Sequence, residues 1–129
     1  MANVLIVDDV MDTCRLMARV MKELGHTAEY ATSGTEAIRC LEHHVPDLIV
    51  LDVMMPEMGG EELLRRVRED ERTAAVPVVM WSAVSDMLYQ EHLLKAGAND
   101  YWVKASMDLN QLNERIRLQL PQAPAVASD

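Results

Sequence analysis

Four short apolar runs in this sequence each end on a side chain able to handle a charged oxygen. Val4–Val7 is followed by Asp8-Asp9, Leu48–Leu51 by Asp52, Val78–Trp81 by Ser82, and Tyr101–Val103 by Lys104. Brought into one crevice, the three carboxylates would repel one another and would not all ionise at neutral pH without a cation. A hard divalent ion relieves that conflict, and Mg2+ favours a few carboxylates together with waters and phosphate oxygens. Lys104 would add a point positive charge and Ser82 a small hydroxyl donor. Such a set suits a transferring phosphoryl group, whose charge is spread over its oxygens. The simplest chemistry is attack by an aspartate carboxylate on phosphorus, giving an aspartyl phosphate.

Taken singly, each residue has a plainer use. Asp9 could cap a first helix, adjacent acids could simply be solvated, Ser82 could cap the helix that follows, and Lys104 could be a surface charge. Joint placement at four strand ends is what points to a site, so the elements between the runs matter.

Apolar runs alternate with helical patterns five times. Val4–Val7 reads as a strand buried on both faces, and Val10, Cys14, Met17, Val20/Met21 and Leu24 recur at helical spacing before Gly25. Thr27–Ala31 is a weaker strand. Ser33-Gly-Thr-Glu starts a second helix through Ala37, Ile38 and Leu41, stopped before Pro46. Leu48–Leu51 is a third strand, and Pro56 and Gly59-Gly60 break the chain ahead of a helix through Leu63, Leu64 and Val67. Pro77 opens a fourth strand, and a helix carrying Leu88, Leu93 and Leu94 runs to Ala96-Gly97. After the fifth strand, Leu109, Leu112, Ile116 and Leu120 form the stripe of a last helix with Asp108 near its cap. Strict strand–helix alternation with apolar central strands implies an α/β fold, a doubly wound parallel sheet covered on both faces. In such folds ligands bind outside the carboxyl ends of the strands, which is where the polar residues collect.

The 129 residues fit one domain over 1–120, and the Pro/Ala-rich 121–129 reads as a tail or linker without periodicity. With 21 acidic against 12 basic residues and a net charge of −9, the chain lacks the basic excess needed to neutralise phosphates of nucleic acid or an anionic membrane. Neither a signal peptide nor a run long enough to span a membrane is visible, so a cytoplasmic location is expected. Cys14 and Cys40 lack CxxC spacing and fall on helical stripes, as reduced core thiols would. His26, His43, His44 and His92 have no metal-ligand spacing, and His43 and His44 suit the negative end of a helix. Ten methionines stand in for the absent phenylalanine as flexible filler, and Trp81 and Trp102 are expected in the core.

The sequence resembles the receiver domains of two-component response regulators, including the single-domain chemotaxis regulators. The resemblance runs from Val4 to about Leu120 and rests on LIVDD ending at Asp9, DVMMPEMGG from Asp52 to Gly60, Ser82-Ala83, and GANDYWVK ending at Lys104. It implies a flavodoxin-like three-layer sandwich with strand order 2-1-3-4-5 and five helices. It makes Asp52 the phospho-acceptor, with Asp9, Asp52 and the backbone carbonyl of Met54 ligating Mg2+ and Asp8 acting mainly through water. Ser82 and Lys104 would bind the phosphoryl oxygens, and Tyr101 would be the switch aromatic. A phosphohistidine on a sensor histidine kinase or phosphotransfer protein would be the donor. The new charge would draw Ser82 inward, let Tyr101 rotate, and change the surface of the fourth helix, fifth strand and fifth helix, in a monomer or a phosphorylation-dependent dimer. The output domain or target is unspecified. The protein would catalyse its own phosphorylation and dephosphorylation rather than turn over an external substrate. Met54 and Val84 fill the positions that tune hydrolysis in the family. Both are apolar, so slow loss of the phosphoryl group is expected.

The chain departs from the family at Ala105, where proline usually follows the lysine. A cis bond without proline costs ~2.5–4 kcal/mol, so a trans bond is expected there. Two other classes of function compete. A phosphorylation-independent pseudo-receiver, acting as a protein-binding module, would keep the fold without accepting phosphate. An aspartate-nucleophile phosphatase would need an acid where Met54 stands, and a flavodoxin would need a hydroxyl- or glycine-rich phosphate loop where Asp8 to Asp12 lies.

Overall fold

The computed structural model describes residues 2–104 and 108–120. The elements alternate as β1 (Asn3–Val7), α1 (Met11–Glu23), β2 (Thr27–Ala31), α2 (Gly34–His43), β3 (Leu48–Asp52), α3 (Gly60–Glu69), β4 (Val78–Ser82), α4 (Met87–Lys95), β5 (Asp100–Val103) and α5 (Leu109–Gln119). All strand pairs are parallel, and the sheet order is β2-β1-β3-β4-β5. The expected doubly wound fold is therefore the observed one. The Lys104–Ala105 peptide and the tail 121–129 lie outside the described residues.

Two-residue periodicity in the strands divides the core into two layers. Leu5, Val7, Ile49, Leu51, Val78, Met80 and Tyr101 meet Ala37 and Leu41 of α2, Leu63, Leu64 and Val67 of α3, and Leu93 of α4. Val4, Ile6, Leu48, Val50, Val79 and Trp102 face the other way, against Cys14, Met17 and Met21 of α1 and Leu112 and Ile116 of α5. Burial of both strand faces explains why these strands read as apolar throughout.

Several helix details differ from the sequence reading. Val10 is the N-cap of α1 and half exposed, so it does not belong to the buried stripe. On α4 only Leu93 is buried, whereas Leu88 and Leu94 are exposed. Leu88 and Leu93 are five positions apart, roughly 140° around the axis, so one face cannot bury both. Leu109 is likewise exposed at the start of α5, while Asp108 caps that helix in a full capping box with Gln111. Cys14 is buried and Cys40 only partly so. Trp102 is fully buried, but Trp81 is only partly so, packed at the margin of the α1–α5 layer. Met17, Met21, Met55 and Met80 fill the core as expected, and Met54 and Met87 face solvent. His43 closes the last turn of α2 on the Arg39 carbonyl, and His44 pairs with Glu29 at 3.2 Å.

Candidate functional site

The carboxyl ends of β1, β3, β4 and β5 converge, because the parallel register sets Val7 beside Leu51, Asp52 beside Trp81 and Ser82 beside Val103. The chain leaves β1 through Asp8, whose Oδ1 accepts from Val10 N at 2.9 Å and turns the backbone into α1. Asp9 is not the helix cap. It stays exposed, and Val10 caps α1 without a side-chain bond. Ser82 likewise does not cap α4, a role taken by Asp86, which accepts from Leu88 and Tyr89. Both plainer uses are thus set aside, and both side chains are left to the site.

Oxygen atoms of Asp8, Asp9 and Asp52 all lie within 4.8 Å of one another. Asp8 is fully buried and Asp52 is 4% exposed, so two carboxylates sit out of water side by side. The Lys104 ammonium reaches across from β5, at 2.9 Å from Asp8 Oδ2 and 3.5 Å from Asp52 Oδ1. One cation cannot balance three acids. Burial first, then the charge of Asp8, push the Asp52 carboxyl up to about 6, against the opposing pull of Lys104 and the Met54 N–H. Burial alone would lower the Lys104 pKa, but its bond to Asp8 and the charges of Asp52 and Asp8 outweigh that and raise it. Lys104 is therefore a fixed ammonium.

These residues fit a hard divalent cation. The cluster is all oxygen, it carries excess negative charge, and one of its carboxyls resists ionisation without further positive charge. Met54 enters through its backbone, the N–H donating to Asp52 Oδ1 at 3.3 Å, while its side chain is 67% exposed. Ser82 is buried, its Oγ accepting from Val84 N at 3.0 Å. Tyr101 is buried on the α2–α3–α4 side, and its hydroxyl donates to the Val84 carbonyl at 2.7 Å. Ser82 and Tyr101 therefore hold the same β4–α4 loop from two directions.

Three further contacts around the site were not legible as such. Gly60, read only as a chain breaker, opens α3 against the end of β3. A Cβ there would strike the Asp52 carbonyl oxygen and come within 2.8 Å of Val53 Cα. Cys14, read only as core, donates its thiol to the Asp8 carbonyl at 3.1 Å, and burial followed by the Asp8 charge lifts its pKa to about 11. Trp81 lies beneath Lys104, the ammonium 5.8 Å from the ring centre. The doubled glycine was the one signal in the sequence for the first, whereas the other two depend on cross-strand register.

Comparison with known proteins agrees with this geometry. A family model described as response regulator receiver domain matches residues 4–117. A 14.6 kDa protein from the sodA1 3' region of Leptolyngbya boryana is 34% identical over 92% of both chains. Two longer regulators also match. They are the DNA-binding dual master transcriptional regulator RpaA of Synechocystis, 32% identical, and the transcriptional regulatory protein AfsQ1 of Streptomyces coelicolor, 33% identical. The match takes in 93% and 100% of this chain but only 49% and 56% of theirs, so the chain spans about half the length of either. Among solved structures, a putative response regulator from Chloroflexus aurantiacus superposes with a TM-score of 0.87 at 30% identity, covering 94% of this chain and 98% of its own. The chemotaxis protein CheY4 of Vibrio cholerae gives 0.86 at 27% identity, covering 93% and 99%. With the acidic cluster, the bridging lysine and the β2-β1-β3-β4-β5 sheet in place, the chain belongs to the response regulator receiver domain family.

Proposed function

We propose that this domain is a phosphorylation switch in which Asp52 accepts a phosphoryl group from a phosphohistidine of a sensor histidine kinase or phosphotransfer protein. The observation that carries this reading is the convergence of Asp8, Asp9 and Asp52 with the Lys104 ammonium at the ends of strands far apart in sequence. Asp8, Asp9 and Asp52, with the Met54 carbonyl, are the groups assigned to Mg2+, which when bound neutralises the carboxylates and draws charge from the phosphoryl oxygens.

An Asp52 oxygen attacks phosphorus, a P–O bond forms as the donor P–N bond breaks, and the electron pair leaves with the imidazole. Lys104, already 3.5 Å from Asp52, takes one phosphoryl oxygen, and the Ser82 hydroxyl donates to another. Drawing Ser82 inward pulls the loop at Val84, which the Tyr101 hydroxyl holds, so one local charge biases the packing of α4, β5 and α5. Water later hydrolyses the acyl phosphate, with Met54 and Val84 offering no side-chain hydrogen bond to orient it. The domain catalyses its own modification and turns over no external substrate.

No helix among the described residues is long and apolar enough to cross a membrane. The two longer regulators are named as transcriptional, so an output segment or a separate target protein is part of this reading. Incubation with phosphoramidate and Mg2+ tests it by intact mass. Wild type should gain one phosphoryl group that alkali removes, and Asp52→Asn should gain none. A wild-type protein that stays unmodified would favour a binding module that works without phosphate.

A further inference from the structure

Parallel register places Trp81 opposite Trp102, with Lys104 two residues further on, just past the end of β5, where its N–H still donates to the Ser82 carbonyl. Diagonal neighbours of this kind lie within reach of an aromatic and a long side chain. Here they meet, with the Lys104 ammonium over the Trp81 ring at 5.8 Å from its centre. The same ammonium bonds Asp8 at 2.9 Å and approaches Asp52 at 3.5 Å, so it is held from the carboxylate side and from the ring side.

The indole nitrogen of Trp81 is buried and has no hydrogen-bond partner among the described residues. A buried orphan donor is unfavourable, and a leucine or phenylalanine would fill apolar space without it. The N–H therefore does not anchor this tryptophan. What the indole offers over those residues is the most electron-rich ring face, the best aromatic partner for a cation. A lysine is a flexible point charge on a four-carbon stem, and it holds one geometry only if something besides its salt bridge restrains it.

We propose that Trp81 is a positioning residue for phosphoryl transfer. Its ring face holds the Lys104 ammonium at the Asp8–Asp52 side of the crevice, where it meets the incoming phosphoryl oxygens. This rests on the reading of Asp52 as phospho-acceptor and adds to it a residue that acts through Lys104 rather than on the phosphoryl group itself.

The test uses the whole chain with phosphoramidate and Mg2+, comparing Trp81→Leu, Trp81→Phe and Lys104→Ala. Trp81→Leu should lower the phosphorylation rate roughly five-fold, about 1 kcal/mol at about 1.36 kcal/mol per decade. Trp81→Phe, which keeps a ring face and drops the N–H, should recover most of that loss. In a Lys104→Ala background Trp81→Leu should have no further effect, because the ring then has nothing to hold. In NMR spectra the Lys104 ε-methylene protons should be shifted upfield by the ring in wild type, and that shift should vanish in Trp81→Leu. Mg2+ affinity should stay within about two-fold, since the carboxylates carry it.

Equal rates for wild type and Trp81→Leu, an undiminished effect in the Lys104→Ala background, or Trp81→Phe as slow as Trp81→Leu would each overturn the proposal. If Trp81→Leu does not fold, the Trp81→Phe rate and the wild-type methylene shift still decide it. Failure of the Asp52 reading looks different, since wild type itself would then take up no phosphoryl group.

Discussion

At the residue scale, the molecule gathers more negative charge than its own cation can balance, and Asp52 bears the consequence. Its folded pKa of about 6 exceeds the ordinary 3.8, so the native state holds the proton over a pH range in which the unfolded chain has released it. Stability from this group is therefore present below about pH 4 and lost as pH rises towards 6. In the absence of divalent cations, Asp52→Asn should be more stable than wild type at pH 7.5, by roughly 1–3 kcal/mol. The gap should shrink towards pH 4, and denaturant titrations of both proteins across that range check it. Met54 makes a separate claim. Its exposed apolar side chain cannot orient water, so Met54→Asn should shorten the phosphoryl lifetime roughly ten-fold, as measured by loss of the adduct after donor removal. Asp8, Asp9, Asp52, Ser82 and Lys104 were legible because each follows an apolar run in a fold whose ligands gather at strand ends. The Cys14 thiol on the Asp8 carbonyl and the ring of Trp81 under Lys104 were not, because sequence does not state which atoms register brings opposite.

At the element scale, α3 is fixed at both ends for different reasons. Its first residue, Gly60, lies so close to the Asp52 carbonyl that any side chain would move the strand end bearing Asp52. Towards its other end, Arg68 donates to the carbonyls of Gly97, Ala74 and Val76 and to Asn99 Oδ1, tying α3 to the segments that lead into β4 and β5. Gly60→Ala should cost about 1–3 kcal/mol and also slow phosphorylation, because Asp52 shifts. Arg68→Ala should cost about 2–3 kcal/mol yet leave the phosphorylation rate unchanged below the melting transition. Thermal melts paired with rate measurements separate the two. Helix existence and order were readable from 3.6-residue periodicity, but the buried face of α4 was not. Its leucines at 88, 93 and 94 do not share one stripe, and packing on β5 selects Leu93 alone. Helix α5 was the easier case, because Leu112 and Ile116 are one turn apart and Asp108 with Gln111 closes its start.

At the scale of the whole molecule, the sheet joins the two halves of the proposed switch. The acidic cluster lies at one end of β1 and β3, and Ser82 and Tyr101 hold the β4–α4 loop between it and an exposed α4 surface of Met87 and Leu88. In the proposed function, charge placed at Asp52 reaches α4 through this one short loop. Beryllium fluoride with Mg2+ should change tryptophan fluorescence, since Trp81 adjoins Ser82, and Asp52→Asn should abolish the response. The net charge of −9 argues against polyanion partners, and three of the carboxylates behind it share one crevice, Asp8 and Asp52 buried and Asp9 exposed. The central claim is that one of them, Asp52, carries the phosphoryl group. Borohydride reduces an aspartyl phosphate to homoserine, so treatment after phosphorylation, followed by peptide mass spectrometry, reads the position directly. Homoserine at position 52, formed only with Mg2+ present, is the predicted result. Homoserine at Asp8 or Asp9, or at no position, would contradict the account.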